Sequence, residues 1–166
     1  MPVFSAGRRR GNARGFGLVD LAVALAVLSG LLYFLLDRVL YMQEIAEKTE
    51  MEETVRSINY ALRLEAASRL TRTSSPNQLP LDKENPVKWL QIPPRNYLGE
   101  LDAPPAHARP PYWYFDRNVR QLAYRPNRTE HLKVEGAKAK ELRFVVGAGE
   151  NSPHPRLISR FPYAWF

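Results

Sequence analysis

Arg14-Gly15-Phe16-Gly17-Leu18-Val19-Asp20-Leu21-Ala22-Val23-Ala24-Leu25-Ala26-Val27-Leu28-Ser29-Gly30-Leu31-Leu32-Tyr33-Phe34-Leu35-Leu36 is the stretch on which the reading of this chain turns. A basic leader, with Arg8, Arg9, Arg10 and Arg14 and no acid, ends at Gly15. From Phe16 to Leu36 there follow 21 residues in which Asp20 is the single ionisable group. About 20 apolar residues in a helix cross a bilayer core. By the positive-inside rule the arginines keep the amino end cytoplasmic. Everything after Asp37 is then expected on the opposite side, the periplasm in a Gram-negative cell. A carboxylate one turn into such a run is costly, and neither a signal peptide nor a plain anchor requires it.

The helical pattern outlasts the apolar run. No proline occurs between Val3 and Ser75, and no glycine between Leu31 and Leu98. Met51, Val55, Ile58, Leu62 and Ala66 recur at three- and four-residue spacing, extended by Tyr41, Ile45 and Ala61. The intervening positions are charged, which makes this half amphipathic with one face to be covered. Glu44 with Lys48, and Glu52 with Arg56, have the spacing of favourable helical pairs. Thr71-Arg72-Thr73-Ser74-Ser75-Pro76 ends the pattern. One helix from about Phe16 to about Leu70 follows, roughly 80 Å long at the usual rise per residue.

After Ser75 there are thirteen prolines, and residues 76–111 read as irregular, with a short strand or helical turn over Val87–Ile92. Strand signals begin at Tyr112-Trp113-Tyr114-Phe115. Val119 to Arg125 alternates around Leu122 and Tyr124, and Asp116-Arg117-Asn118 supplies the turn between them. A third strand is expected over Glu141–Val146, with Leu132–Val134 and Leu157–Phe161 as shorter ones. The expected fold class is α+β: a long N-terminal α-helix, half membrane-spanning and half amphipathic, packed on a small antiparallel β-sheet head. Its parts are a leader (1–15), a transmembrane half-helix (16–36), an amphipathic half-helix (37–70) and a head with a proline-rich linker (71–166).

Composition excludes several chemistries. Cysteine is absent, so there is no disulfide framework, thiol nucleophile or thiolate metal site. His107, His131 and His154 follow no metal-ligand spacing and read as surface loop residues. No nucleophile elbow and no phosphate-binding loop is present. The expectation is therefore a non-enzymatic protein with no catalytic residues, no metal and no cofactor. Net charge is +7, but the leader holds four of the positive charges, so the high pI argues only weakly for nucleic-acid binding. Tyr112 to Phe115 beside Arg117, Arg120, Arg125 and Arg128 could stack bases; core aromatics alternating with solvated arginines explain the same residues. The aromatic end, Phe161 to Phe166, either docks in the head's core or meets a partner.

Three readings fit the leader. A cleaved secretory signal expects a small-x-small site after the run, where this chain has Asp37-Arg38-Val39-Leu40. A plain single-pass anchor leaves Gly15-Phe16 and Asp20 without a role. The third reading is a resemblance: Arg14 to Leu21 looks like the class III signal of type IV prepilins and type II secretion pseudopilins. The resemblance implies cleavage after Gly15 by prepilin peptidase, N-methylation of the new terminus Phe16, and an assembly role for Asp20, which stands where the family normally has glutamate. Gly17 replaces the more usual threonine or small polar residue, and the proline common within the membrane segment of major pilins is missing. Trp113-Tyr114-Phe115-Asp116 followed by Leu122-Ala123-Tyr124-Arg125 also resembles a recurring hairpin of pilin-like heads.

The resemblance thus implies a minor pilin or pseudopilin of a pilus or secretion filament. Its implied partners are prepilin peptidase, other pilin or pseudopilin subunits, the inner-membrane assembly platform and the lipid bilayer. Its implied place is the inner membrane, with the amino end cytoplasmic and the head periplasmic, and from there a filament. A single-pass scaffold of another envelope complex is the alternative, and a DNA-binding competence pilin, through the four arginines, is a further one.

Overall fold

The computed structural model describes residues 17–71, 80–136, 141–149 and 152–166. One helix, α1 (Leu18–Thr71), occupies 54 residues. It runs through two compact units, the first ending at Tyr41 and the second spanning Met42–Phe166. In the first unit the helix from Leu18 to Val39 is exposed throughout. It contains one window long and apolar enough to cross a membrane, none of it buried. The hydroxyl of Ser29 donates to the Leu25 carbonyl at 2.7 Å, so the one serine in the run is satisfied within the helix.

In the second unit α1 buries one stripe. Glu44, Met51, Ile58, Ala61 and Leu62 are buried, and Val55 packs against them. The carboxy end is pinned by Arg69, which bonds Glu65 at 2.9 Å and Glu84 at 3.0 Å. A cation in the last turn also suits the negative end of the helix dipole.

Among the described residues seven strands follow: β1 (Tyr97–Leu101), β2 (Tyr112–Asp116), β3 (Gln121–Arg125), β4 (Leu132–Val134), β5 (Leu142–Gly149), β6 (Ser152–Ser159) and β7 (Tyr163–Trp165). Five form one sheet in the order β1-β2-β3-β5-β6, and β4 pairs β7 in a separate two-stranded sheet. The expected hairpin is present as β2–β3, in antiparallel register from Tyr112 opposite Arg125 to Asp116 opposite Gln121. All other ladders are antiparallel except β1–β2, which is parallel. The α+β class holds, and the proline-rich segment proves more ordered than its composition suggests. It contains β1 and short 3-10 helices at Leu81–Lys83 and Pro86–Trp89, the second capped by the Asn85 side chain on the Val87 amide.

The main core lies between α1 and the sheet. Trp113, Phe115, Leu122, Tyr124, Leu142, Phe144, Leu157 and Trp165 meet Met51, Ile58 and Leu62. Strand β2 is buried on both faces: Tyr112 and Tyr114, with Ala123, are covered by Leu101 at the end of β1 and by Ala108 from the segment that links β1 to β2. Strand β6 ends the sheet. Two of its residues, Pro153 and Pro155, have no N–H, and its Leu157 amide donates to Asn59 Oδ1 of α1 at 2.7 Å.

Candidate functional site

Helix α1 starts immediately after Gly17, whose carbonyl accepts from the Leu21 amide at 3.1 Å. Asp20 is the third helical residue. Its Oδ2 accepts from the Gly17 amide at 3.2 Å, reaching back over the turn. This is one arm of a capping box, and it places a carboxylate at the positive end of the helix dipole. A Cβ built at Gly17 would stand 3.4 Å from that oxygen, ordinary contact, so the bond tolerates a small side chain there. The sequence signal for this capping role is an acid three residues after the glycine that precedes the helix. Gly15 and Phe16, the cleavage and methylation positions, lie outside the described residues.

The four arginines are not gathered in one patch. Arg117 and Arg120 sit at the β2–β3 turn. Arg117 meets Asp102 at 3.4 Å, and Arg120, at φ 53°, donates to the Lys83 carbonyl at 3.0 Å. Arg125 ends β3, at the opposite end of the hairpin. Arg128 follows it and donates twice to Gln43 Oε1, at 2.8 and 3.2 Å. Tyr112, Trp113, Tyr114 and Phe115 are all buried, so their rings offer no exposed stacking face beside these arginines.

A denser arrangement lies at the base of the head. Glu44 is only 1% exposed, on a stripe whose other buried members are apolar. Its carboxylate accepts the His131 amide at 3.0 Å, His131 Nδ1 at 2.9 Å and the Trp165 indole N–H at 3.0 Å. Burial alone would raise this carboxyl, but hydrogen bonds from His131 and Trp165 and the charge of His131 outweigh it, and the group is held below its ordinary value. One turn on, Glu47 accepts the Tyr124 hydroxyl at 3.2 Å and the Asn127 and Arg128 amides at 2.6 and 3.1 Å. Lys48 donates to the Trp165 carbonyl at 2.8 Å and lies over the Phe166 ring, which stacks on His131.

Two expectations are corrected here. Lys48 does not pair with Glu44; it reaches Trp165 and, at 3.8 Å, Glu52, because Glu44 points into the core. His107 and His131 lie at exposed loop positions as expected, but His131 also holds a buried carboxylate, and His154, though exposed, lies in β6 and not in a loop. The aromatic end docks through Trp165, which is buried, while Phe166 stays 47% exposed.

On the outer face of the sheet a second polar cluster forms around Arg143. It pairs with Asp116 at 3.0 Å and Glu141 at 2.8 Å, and donates to the Tyr114 hydroxyl at 3.1 Å. Burial and the adjacent Glu141 carboxylate push the Tyr114 phenol up to about 12. Asp116 also caps the hairpin turn through the Asn118 and Val119 amides. These groups tie the outer face of the sheet together.

Comparison of the chain with protein families, with curated proteins and with solved structures gives no match. What can be said plainly is that a long N-terminal helix, with an exposed apolar segment of membrane length, packs its later half on a small α+β head.

Proposed function

We propose that the chain is a non-enzymatic structural subunit of a membrane-derived filament, a minor pilin or pseudopilin processed after Gly15 and assembled through its N-terminal helix. The observation that carries this reading is continuity: α1 passes unbroken from an exposed apolar segment into an amphipathic segment whose buried stripe floors the head's core. A head that must be displayed from a membrane on a stiff support is served by such a helix.

In this reading residues 16–36 lie in the bilayer before assembly and against other subunits after it, and the head faces the periplasm. Asp20 gives up the Gly17 amide as its main partner and meets the new ammonium group of a neighbouring subunit's Phe16. Such a pair fixes register more than it stabilises. Prepilin peptidase and an assembly platform are the required partners, since the chain has no nucleotide-binding loop of its own.

Mass spectrometry of the amino terminus tests the reading. A mature chain beginning with N-methyl-phenylalanine at Phe16 is expected. An intact leader would favour the single-pass scaffold instead. For the assembly role, Asp20→Ala is expected to be processed yet depleted from filaments; recovery at the wild-type level would remove that role. The DNA-binding alternative retains the arginines without the rings, and no feature of the fold favours it.

A further inference from the structure

Among the described residues the β4–β7 pair forms a sheet separate from the five-stranded one. Each of its strands is three residues long, and a two-stranded ribbon of this size is not stable by itself. Its order comes from α1. Leu132 and Trp165 bury their side chains in the main core. The residue preceding β4 and the last residue of β7 both end on the one Glu44 carboxylate. Beside β7 a cleft of about 220 Å³ is already open between Tyr163 and Met51, Glu52, Val55 and Arg56 of α1.

We infer that β4 and β7 form a latch closed by the ionised carboxylate of Glu44, and that protonating it releases the latch locally, widening this cleft over Met51 and Val55 while the five-stranded sheet stays folded. This goes beyond the filament reading and does not depend on it. The chemistry is a matter of donors and acceptors. An ionised carboxylate only accepts, and here it serves the His131 amide, the Trp165 indole N–H and, when the His131 ring carries a proton on Nδ1, that N–H as well. A protonated carboxyl carries a donor of its own, so one of its oxygens then faces N–H groups with a proton. In a buried site that leaves a donor without a partner, a large loss for a ribbon with little order of its own.

The charged and titratable groups on the segments around Glu44 are Glu47 and Lys48 on α1, Arg128 and Glu130 on the segment after β3, and His131 before β4. Lys48 and a charged His131 both favour the ionised form. Glu47 is engaged with Tyr124, Asn127 and Arg128, so it holds the preceding segment, not the ribbon. Because the folded carboxyl is held below its unfolded value, its contribution is complete above that unfolded value. It is lost as pH falls through the folded one.

The test is amide and indole hydrogen exchange by NMR on the full chain in detergent micelles, corrected for intrinsic exchange. The reporters are the Trp165 indole and the amides of Glu135 and Phe166, which bond Pro162 and His131 across the ribbon. Between about pH 6 and about pH 3 their protection is expected to fall by about tenfold or more, while the amides of Leu122 and Phe144 keep theirs. Ribbon protection that persists until the whole sheet unfolds, or falls together with it, overturns the proposal. Glu44→Gln is expected to show the open ribbon already at about pH 6 with no further acid response; a wild-type acid response in that variant overturns it too. Should Glu44→Gln not fold, His131→Gln keeps a donor but removes the cation, and its ribbon should open at higher pH than wild type. An unchanged midpoint there would count against Glu44 as the titrating group.

Discussion

Asp116 divides one carboxylate between two tasks: one oxygen holds the Asn118 and Val119 amides of the hairpin turn, the other holds Arg143. Asp116→Ala should therefore lower the head's stability by about 2 kcal/mol, and Asp116→Asn by about half of that, since an amide oxygen still caps the turn. Denaturant unfolding followed by near-ultraviolet circular dichroism checks both. Tyr114, whose hydroxyl accepts from Arg143, predicts an alkaline limit. Its phenol is pushed up to about 12 by burial and by Glu141. The stability it contributes is whole below the unfolded tyrosine value, and it is lost as pH rises through the folded one. Melting temperature should fall between about pH 10 and about pH 12, less steeply in Tyr114→Phe. At this scale the sequence was least legible. Glu44 looked like one more exposed acid of a charged helix. It lies on the Met51–Ile58–Leu62 stripe extended by one heptad, but nothing local tells that the donors come from His131 and Trp165, 87 and 121 residues away.

Among elements, the helix and the β2–β3 hairpin were readable because local rules agree with the fold there. The helix has no breaker after Gly30 and before its end, and the hairpin joins aromatic strands through turn formers. Strand β1 was hidden. Gly99 adopts φ 99°, the β1–β2 register shifts between Tyr97 and Glu100, and prolines flank the strand, so no clean alternation survives. Strand β7 is too short to announce itself, and β4 pairs with it instead of joining the main sheet. The helix offers a sharp contrast for mutation. Leu62 is fully buried and Leu64 is 62% exposed. Leu62→Ala should cost about 3 kcal/mol and Leu64→Ala less than about 0.5 kcal/mol, measured as a difference in denaturation midpoint.

For the whole molecule, the division at Met42 makes a statement about solubility. Residues 42–166 contain the main core, both sheets and the helix stripe that covers them. A fragment starting at Met42 is expected to be recovered in the aqueous phase with the near-ultraviolet spectrum of the full chain, and the full chain only with detergent. Partition of the two in a detergent phase-separation assay checks this. In the proposed filament, a subunit concentrated in a membrane and then packed into a fibre would meet its own copies at very high local density. Under those conditions an open sheet margin is a hazard, because any copy's strand can add to it and turn ordered assembly into tangled aggregate. At the β6 edge the Leu157 amide is bonded to Asn59 and Pro155 has no N–H to offer, so that edge is blunted from within. Crowding can then drive helices together with less invitation for a strand to add at β6.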